Sequence, residues 1–293
     1  MSLHPIEVTP VIIVGAGRSG TNMLRDVLTR LDGYGSWPCD EINYIWRHGN
    51  RDNETDEFTQ ALASPQVVEF IRRQFSNLVH NSELVEVPCD SRYLVEKTCA
   101  NSLRVPFVDT VIPEARYIHI VRDGRDVVAS ALKRWKAPLD IPYLMAKARY
   151  VPKTDLPYYA SRYLGNRLSK LISSESALPV WGPKFHGMKE YSDLSDVCAA
   201  QWVRCVESAT AAFSEMSSSK AMSISYEDFV ENPSQQLVSI LEFLSYPHTM
   251  DQITQACSIV RTDSVGKGVL SNEMDLSKAE TLMSSTLSAH GYL

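Results

Sequence analysis

The sequence has no run of 18 consecutive apolar residues, so it offers no segment for a membrane-spanning helix. Residues 1–10 contain two prolines and a glutamate, and they lack the apolar stretch of a secretory signal peptide. The six cysteines are far apart and form no Cys-x-x-Cys pair. We therefore expect reduced thiols in a cytoplasmic protein, and neither a disulfide framework nor a zinc site.

An excess of basic charge is also missing. The formal net charge is −6, and non-specific nucleic-acid binding needs a positive field, so that class of partner is not expected. The seven histidines form no His-x-x-x-His pair, so no metal is expected. With 44% hydrophobic residues in 293, the chain can build one large core, and we interpret residues 1–293 as a single domain.

Short apolar runs alternate with amphipathic segments along the chain. Parallel strands are predicted at residues 11–14, 93–95, 117–121 and 221–226. Helices are predicted at residues 23–31, before Gly33, at residues 126–135 and after Pro233. This order predicts an α/β fold, with a P-loop-like parallel sheet flanked by helices.

Two long excursions, residues 43–83 and 136–191, fit this alternation poorly. The first is polar and then helical around residues 67–79, whereas the second holds six prolines and many tyrosines. Long excursions from an α/β core often form lids or pockets. We expect both to build the acceptor side of a site, and surface decoration is the alternative, mainly for the first.

A glycine-rich segment from Gly15 to Asn22, Gly-Ala-Gly-Arg-Ser-Gly-Thr-Asn, joins the first strand to the first helix. Its backbone N–H groups and the positive helix end favour a phosphate or sulfate. Gly15 and Gly20 have P-loop spacing, but Thr21 and Asn22 stand where that motif needs a lysine and a serine or threonine. An anion site is favoured over an ATP and magnesium site. A Rossmann site, which lacks its acidic residue here, and a simple tight turn are the other interpretations.

A second motif surrounds Arg122, which follows the strand at residues 117–121 and precedes a helix carrying Ser130. An arginine fork and a serine hydroxyl in this arrangement can hold one phosphate together. The alternative is an ordinary strand–turn–helix with Arg–Asp pairs on its surface.

Together the two motifs resemble the PAPS-dependent sulfotransferase superfamily, where PAPS is 3′-phosphoadenosine-5′-phosphosulfate. The string from Arg18 to Arg25 is most similar in style to tyrosylprotein sulfotransferases and related bacterial enzymes. Further similar elements occur at residues 96–98, 113–116, 201–207 and 226–233. The resemblance implies an enzyme that moves a sulfuryl group from PAPS to an acceptor hydroxyl and releases 3′,5′-adenosine bisphosphate (PAP). A P-loop nucleotide kinase and a non-catalytic adenosine-nucleotide-binding protein are the alternatives.

The resemblance also implies roles for individual residues. The loop that binds the 5′-phosphosulfate comprises Gly17, Arg18, Ser19, Gly20, Thr21 and Asn22. The other cofactor contacts are Arg122 and Ser130 for the 3′-phosphate, with Tyr226 and, in a C-terminal loop, Ser264 and Lys267. Arg18 and Lys97 are expected to neutralise charge on the transferred group.

The residue matched to the general base differs from the one that cytosolic relatives use. Cytosolic relatives carry Lys-Thr-His and use the histidine, but here Cys99 follows Lys97 and Thr98. Tyrosylprotein sulfotransferases use a glutamate soon after the first helix, and Glu41 is matched to it. The alternatives for the base are Asp40 and His186. Trp181 and His186 are expected to bind the acceptor, whose hydroxyl belongs to a carbohydrate, a tyrosine or another small molecule.

Overall fold

The computed structural model describes residues 3–80, 93–136, 149–161, 182–183, 193–261, 265–266 and 277–293. Four residues with predicted roles, Trp181, His186, Ser264 and Lys267, lie outside the described residues. Most of the second predicted excursion also lies outside them.

The described strands form one sheet in the order β2-β3-β1-β4-β5. They are β1 (Thr9–Val14), β2 (Tyr34–Ser36), β3 (Tyr93–Lys97), β4 (Arg116–Val121) and β5 (Ala221–Ser225). Every neighbouring pair is parallel, so the predicted parallel sheet is confirmed.

Helices cover the sheet and follow most of the strands. The α-helices with described bounds are α1 (Thr21–Leu28), α2 (Asn43–Trp46), α3 (Pro65–His80), α4 (Val105–Val111), α5 (Gly124–Lys136), α6 (Leu194–Ser214), α7 (Tyr226–Glu231), α8 (Pro233–Phe243), α9 (Met250–Cys257) and α10 (Ser277–Ala289). Short 3₁₀ helices lie at Gln60–Leu62 and Cys99–Leu103.

Two predicted boundaries are wrong. The first helix ends at Leu28 and not at residue 31, although Leu31 stays buried in the turn before Gly33. The fifth strand ends at Ser225, whose hydroxyl accepts a hydrogen bond from the backbone N–H of Asp228 and so caps α7. Tyr226 therefore begins a helix.

The central strand β1 is buried on both faces of the sheet. Ile12 and Val14 pack into one apolar core, and Val11 and Ile13 into another, as the continuous apolar run predicts. The first excursion supplies many side chains of the first core: Ile45, Trp46, Phe58, Val67, Val68, Ile71, Phe75 and Leu78. Surface decoration is therefore the wrong interpretation of that excursion.

No helix within the described residues combines the length and the apolar character needed to cross a bilayer.

Candidate active site

The predicted motifs meet at the carboxyl edge of the sheet. β3 lies on one side of β1 and β4 on the other, and Ile13 of β1 is in register with Lys97, the last residue of β3. The chain leaves β1 at Val14 into the glycine loop, and it leaves β4 at Val121 just before Arg122. Ligands of open parallel sheets bind at this edge.

The glycine loop adopts a conformation that favours an anion. Arg18 and Gly20 both have left-handed backbones, with φ of 73° and 89°, and such turns aim backbone N–H groups into a concave nest. A Cβ atom on Gly20 would lie 2.3 Å from Cδ2 of Tyr226, so no side chain fits there. The buried Ser19 Oγ has no hydrogen-bond partner among the described residues. A phosphate or sulfate oxygen fits this site because it would supply that partner.

The residues predicted to bind the cofactor contact one another. Arg18 Nε donates a hydrogen bond to Ser130 Oγ at 3.0 Å. Arg122 Nη1 donates to the backbone carbonyl of Arg18 at 3.2 Å. The Arg122 guanidinium carbon also lies 4.3 Å from the ring centroid of Tyr226. The structure therefore brings together the glycine loop, Arg122, the middle of α5 and Tyr226, which the sequence analysis assigns to one cofactor site.

Asp126 is a neighbour of this group that sequence reasoning missed. Its carboxylate accepts a hydrogen bond from Arg122 Nη2 at 3.1 Å and another from the backbone N–H of Gly266 at 2.8 Å. The spacing of four residues between Arg122 and Asp126 on a helix start is the signal that could have indicated it. Gly266 also places the described part of the C-terminal loop beside the predicted 3′-phosphate site.

Glu41 lies beside Lys97, on the β3 side of the loop. Glu41 Oε1 is 3.3 Å from Lys97 Nζ, and it accepts a hydrogen bond from the Cys99 backbone N–H at 3.3 Å. Cys99 Sγ in turn lies 3.7 Å from Thr21 Oγ1 at the start of α1. The predicted base and the predicted lysine are therefore adjacent to each other and close to the predicted anion loop.

The side chains of Lys97 and Glu41 are 3% and 17% exposed, so their charges interact in a partly dry environment. Burial alone lowers the pKa of Lys97, whereas the negative charges of the Glu41 and Asp40 carboxylates raise it, and the net direction is upward. Lys97 is therefore a cation at neutral pH. Burial raises the pKa of the Cys99 thiol far above its ordinary value, so the thiol is protonated and does not act as a base.

Asp40, the neighbouring carboxylate, has a different environment. Its Oδ1 atom is 3.0 Å from Arg25 Nη1, and its side chain is 38% exposed. Arg25 is also paired with Asp26. Asp40 thus contributes to an ion-pair cluster on α1, whereas Glu41 faces the end of β3.

Aromatic side chains lie near Glu41. Burial raises the pKa of Tyr44, and the nearby charge of Glu41 raises it further. The Tyr44 and Tyr159 rings meet edge to face, 4.6 Å between centroids. The buried carboxylate of Asp155 contacts His48 Nδ1 and Arg51 Nη1, each at 2.8 Å. These contacts hold residues 149–161 against the loop that follows α2.

Among the residues that the structure describes, no group of three or more histidine, cysteine, aspartate or glutamate side chains is arranged to hold a metal ion. The five described cysteines are free thiols.

A model of the sulfotransferase family matches residues 10–144 and 169–250, which is well over half of the sequence. The chain belongs to the sulfotransferase family. This membership confirms the predicted enzyme class and its PAPS donor, and it implies an acceptor that carries a hydroxyl group. The nucleotide kinase and the non-catalytic binding protein are set aside. No curated protein matches the sequence of this sulfotransferase.

Solved structures share its fold at low sequence identity. A sulfotransferase domain from the curacin biosynthetic pathway has 15% identity and a TM-score of 0.51, covering 100% of this chain and 99% of that one. A sulfotransferase from Mycobacterium avium has 13% identity and a TM-score of 0.52, covering 98% and 77%. The sulfotransferase domain of an olefin synthase from Synechococcus PCC 7002 has 14% identity and a TM-score of 0.51, covering 98% of each chain.

Proposed function

We propose that this sulfotransferase binds PAPS along the edge formed by β1 and β4 and transfers the sulfuryl group toward Glu41. The 5′-phosphosulfate would be held by the loop residues Gly17, Arg18, Ser19, Gly20, Thr21 and Asn22. The 3′-phosphate would be held by Arg122 and Ser130, with Tyr226 beside them. Ser264 and Lys267 stay predicted cofactor contacts.

The observation that carries this proposal is the contact of Glu41 with Lys97, next to the loop. The two side chains come from separate parts of the sequence and meet at 3.3 Å, and Cys99 connects them to Thr21 of the loop. A carboxylate that can accept a proton and an ammonium that can neutralise a sulfuryl oxygen thus lie on the same side of the anion site.

In the proposed mechanism, Glu41 takes the proton of the acceptor hydroxyl as the acceptor oxygen bonds to sulfur. The bond between sulfur and the bridging oxygen of the 5′-phosphate breaks, and the electron pair leaves with PAP. Lys97 and Arg18 stabilise the negative charge on the sulfuryl and bridging oxygens. The step is a transfer between two oxygens, so it depends on in-line positioning of the acceptor and donor and on neutralisation of charge.

We propose a ring-bearing acceptor, either a carbohydrate or another small molecule. Tyr44 lies close to Glu41 and packs against Tyr159, and aromatic side chains contact sugar and aromatic rings through their apolar faces. Trp181 and His186 stay predicted acceptor contacts. A screen of hydroxyl compounds with radiolabelled PAPS, comparing carbohydrates, phenols and tyrosine peptides with acyclic alcohols, tests this: transfer to acyclic alcohols alone would contradict it.

The assignment of the base is tested by replacing Glu41 with glutamine, which keeps the shape and removes the proton acceptor. We expect Glu41→Gln to lose about 10²–10⁴-fold in kcat and to bind PAP with the parental Kd, measured by calorimetric titration. Asp40→Asn is the matched control, because Asp40 pairs with Arg25, and its kcat should stay close to parental. Parental turnover in Glu41→Gln would reject Glu41 as the base.

Three further expectations from the sequence stay predictions for this sulfotransferase. They are independence from metal ions, a cytoplasmic location and a single domain over residues 1–293.

A further inference from the structure

Thr98 connects the end of β3 to the loop that carries Glu41. Its hydroxyl oxygen accepts a hydrogen bond from the backbone N–H of Ile42 at 3.1 Å. The same hydroxyl donates to Glu96 Oε1 at 2.5 Å. Thr98 is 0% exposed and Glu96 is 1% exposed, so both bonds lie in the protein interior, where an unmade hydrogen bond is costly.

Glu96 is in turn fixed by a buried amide. Asn101 Nδ2 donates to Glu96 Oε2 at 2.8 Å, so both carboxylate oxygens have partners. Arg104 Nε donates to Asn101 Oδ1 at 2.9 Å, and Arg104 Nη2 donates to Asn43 Oδ1 at 2.5 Å. The network therefore begins at the backbone of Ile42 and returns to the side chain of Asn43, both directly after Glu41.

Two hydrogen bonds hold the loop directly after Glu41, from the Ile42 N–H to Thr98 and from Arg104 to Asn43. The contacts of the Glu41 carboxylate with Lys97 and Cys99 are longer than either of them. They measure 3.3 Å each, beyond the usual range of strong charge-assisted hydrogen bonds. The backbone bond from Ile42 to Thr98 is shorter, and it lies one residue from Glu41. A displaced backbone at residue 42 would carry the carboxylate out of reach of an acceptor hydroxyl, because proton transfer requires hydrogen-bond distance.

We propose that Thr98 is a positioning residue for the catalytic base: its hydroxyl, fixed by Glu96, holds the Ile42 backbone and so aims Glu41 at the acceptor. This role rests on the proposed function of Glu41 as the base. Thr98 acts through Glu41 and does not itself touch the donor or the acceptor.

The direct test compares Thr98→Val, which keeps the shape and removes the hydroxyl, with Thr98→Ser, which keeps the hydroxyl. We expect Thr98→Val to lower kcat about 10- to 100-fold, as a misplaced catalytic group does. The Kd of PAP and the KM of PAPS should stay parental, because the contacts of Arg122 and Ser130 are untouched. Thr98→Ser should retain kcat within about threefold of parental. Should Thr98→Val not yield folded protein, Thr98→Ala replaces it.

A double-mutant cycle separates positioning from general damage. In a Glu41→Gln background there is no base to aim, so adding Thr98→Val should lower the residual kcat less than twofold. An equal loss in both backgrounds, or parental kcat in folded Thr98→Val, would overturn the proposal. If Glu41→Gln itself retains parental turnover, the proposed base fails first, and the two failures are distinguishable.

The matched control is Thr286→Val, in α10. Thr286 is also a buried threonine, 3% exposed, and its hydroxyl donates to a glutamate, Glu207 Oε1, at 2.8 Å. Loss of this bond should reduce folding stability about as much as Thr98→Val does, and it should leave kcat within about twofold of parental. A loss of kcat equal to that of Thr98→Val would show that lowered stability alone accounts for the effect, and would overturn the positioning role.

Discussion

Arg18 combines an unfavourable backbone with a side chain placed at the anion site. Its φ is 73°, in the left-handed region where a residue with a Cβ atom is strained. Its guanidinium nevertheless reaches Ser130. The fold thus tolerates a local cost at this position in exchange for a cation next to the proposed 5′-phosphosulfate site.

Replacing Arg18 by glycine and by alanine separates these two properties. Both variants lose the guanidinium, so both should lose transferase activity. Only alanine keeps the strained Cβ, so we expect Arg18→Gly to be more stable than Arg18→Ala by roughly 1 kcal/mol. Free energies of unfolding from urea titrations measure the difference. Equal stabilities, or a more stable alanine variant, would show that the left-handed backbone carries no cost.

Arg122 is the residue on which the proposed 3′-phosphate site depends most. We expect Arg122→Ala to weaken PAP binding about 10- to 100-fold, since a charge-assisted contact with phosphate is lost. Ser130→Ala, which leaves the pair of Arg122 with Asp126 intact, should weaken it less. Calorimetric titration measures both, and Arg116→Ala, at the opposite end of β4, is the control. Parental affinity in Arg122→Ala would remove the 3′-phosphate assignment.

At the scale of elements, a buried charge network ties the loop after α2 to Arg104, the residue directly before α4. Asp56 Oδ1 contacts Arg47 at 2.9 Å and Arg104 at 3.1 Å. The other oxygen, Oδ2, accepts a hydrogen bond from the backbone N–H of Gly182 at 3.1 Å. One carboxylate therefore joins the first excursion, the segment after β3 and Gly182 of the second excursion.

Removing this charge should be strongly destabilising. We expect Asp56→Asn to lose about 3–5 kcal/mol of the free energy of unfolding, because two arginines would stay behind without their shared partner. Glu69→Gln is the control: Glu69 pairs with Arg73 on the surface of α3, with side chains 44% and 57% exposed, and such pairs contribute about 0.5 kcal/mol or less. A loss below about 1 kcal/mol in Asp56→Asn would contradict the role of the network.

The sequence predicts those elements whose signal is local. β1, β3, β4 and α5 have continuous apolar or periodic patterns, and the glycine loop has a motif. β2 was missed because Tyr-Gly-Ser is too short to show a pattern. Surface decoration stayed open as an alternative for the first excursion because its apolar residues are spaced irregularly, and only tertiary packing shows that Trp46 is fully buried.

For the site, sequence motifs predict which residues take part, whereas the order of the strands in the sheet determines which of these residues contact one another. Glu41 was matched through family resemblance, but its meeting with Lys97 spans 56 positions of the sequence and requires β3 to lie beside β1. The hydroxyl of Thr98 gave no signal of its own. Its bond to the Ile42 backbone depends on the fold of a loop without a regular pattern.

At the scale of the whole molecule, two buried groups give folding stability opposite dependences on pH. Burial, together with the charge of His290, lowers the pKa of His119 to about 3. Burial raises the pKa of Glu96 to about 7, although its hydrogen bonds act against the rise. Between about pH 4.5 and 6.5, the unfolded chain binds a proton at His119 that the folded protein lacks, and the folded protein keeps one at Glu96 that the unfolded chain loses.

The sign of each contribution follows from linkage. His119 makes the protein less stable as the pH falls from about 6.5 toward 3, and Glu96 makes it less stable as the pH rises from about 4.5 toward 7. On going from pH 7 to pH 5, His119→Leu should therefore lose less unfolding free energy than the parent, and Glu96→Gln should lose more. Urea titrations at the two pH values measure this, and shifts in the same direction for both variants would contradict it.

The position of β1 between β3 and β4 has a consequence for how such an enzyme changes over generations. Arg122 and Ser130 lie on the β4 flank, whereas Glu41, Tyr44 and the first excursion belong to the β3 flank. Substitutions that reshape the β3 flank leave the residues of the β4 flank unchanged. Under the proposed assignment of the donor to the β4 flank and the acceptor to the β3 flank, selection can therefore give descendants of this chain new acceptors while they inherit the same means of holding the donor.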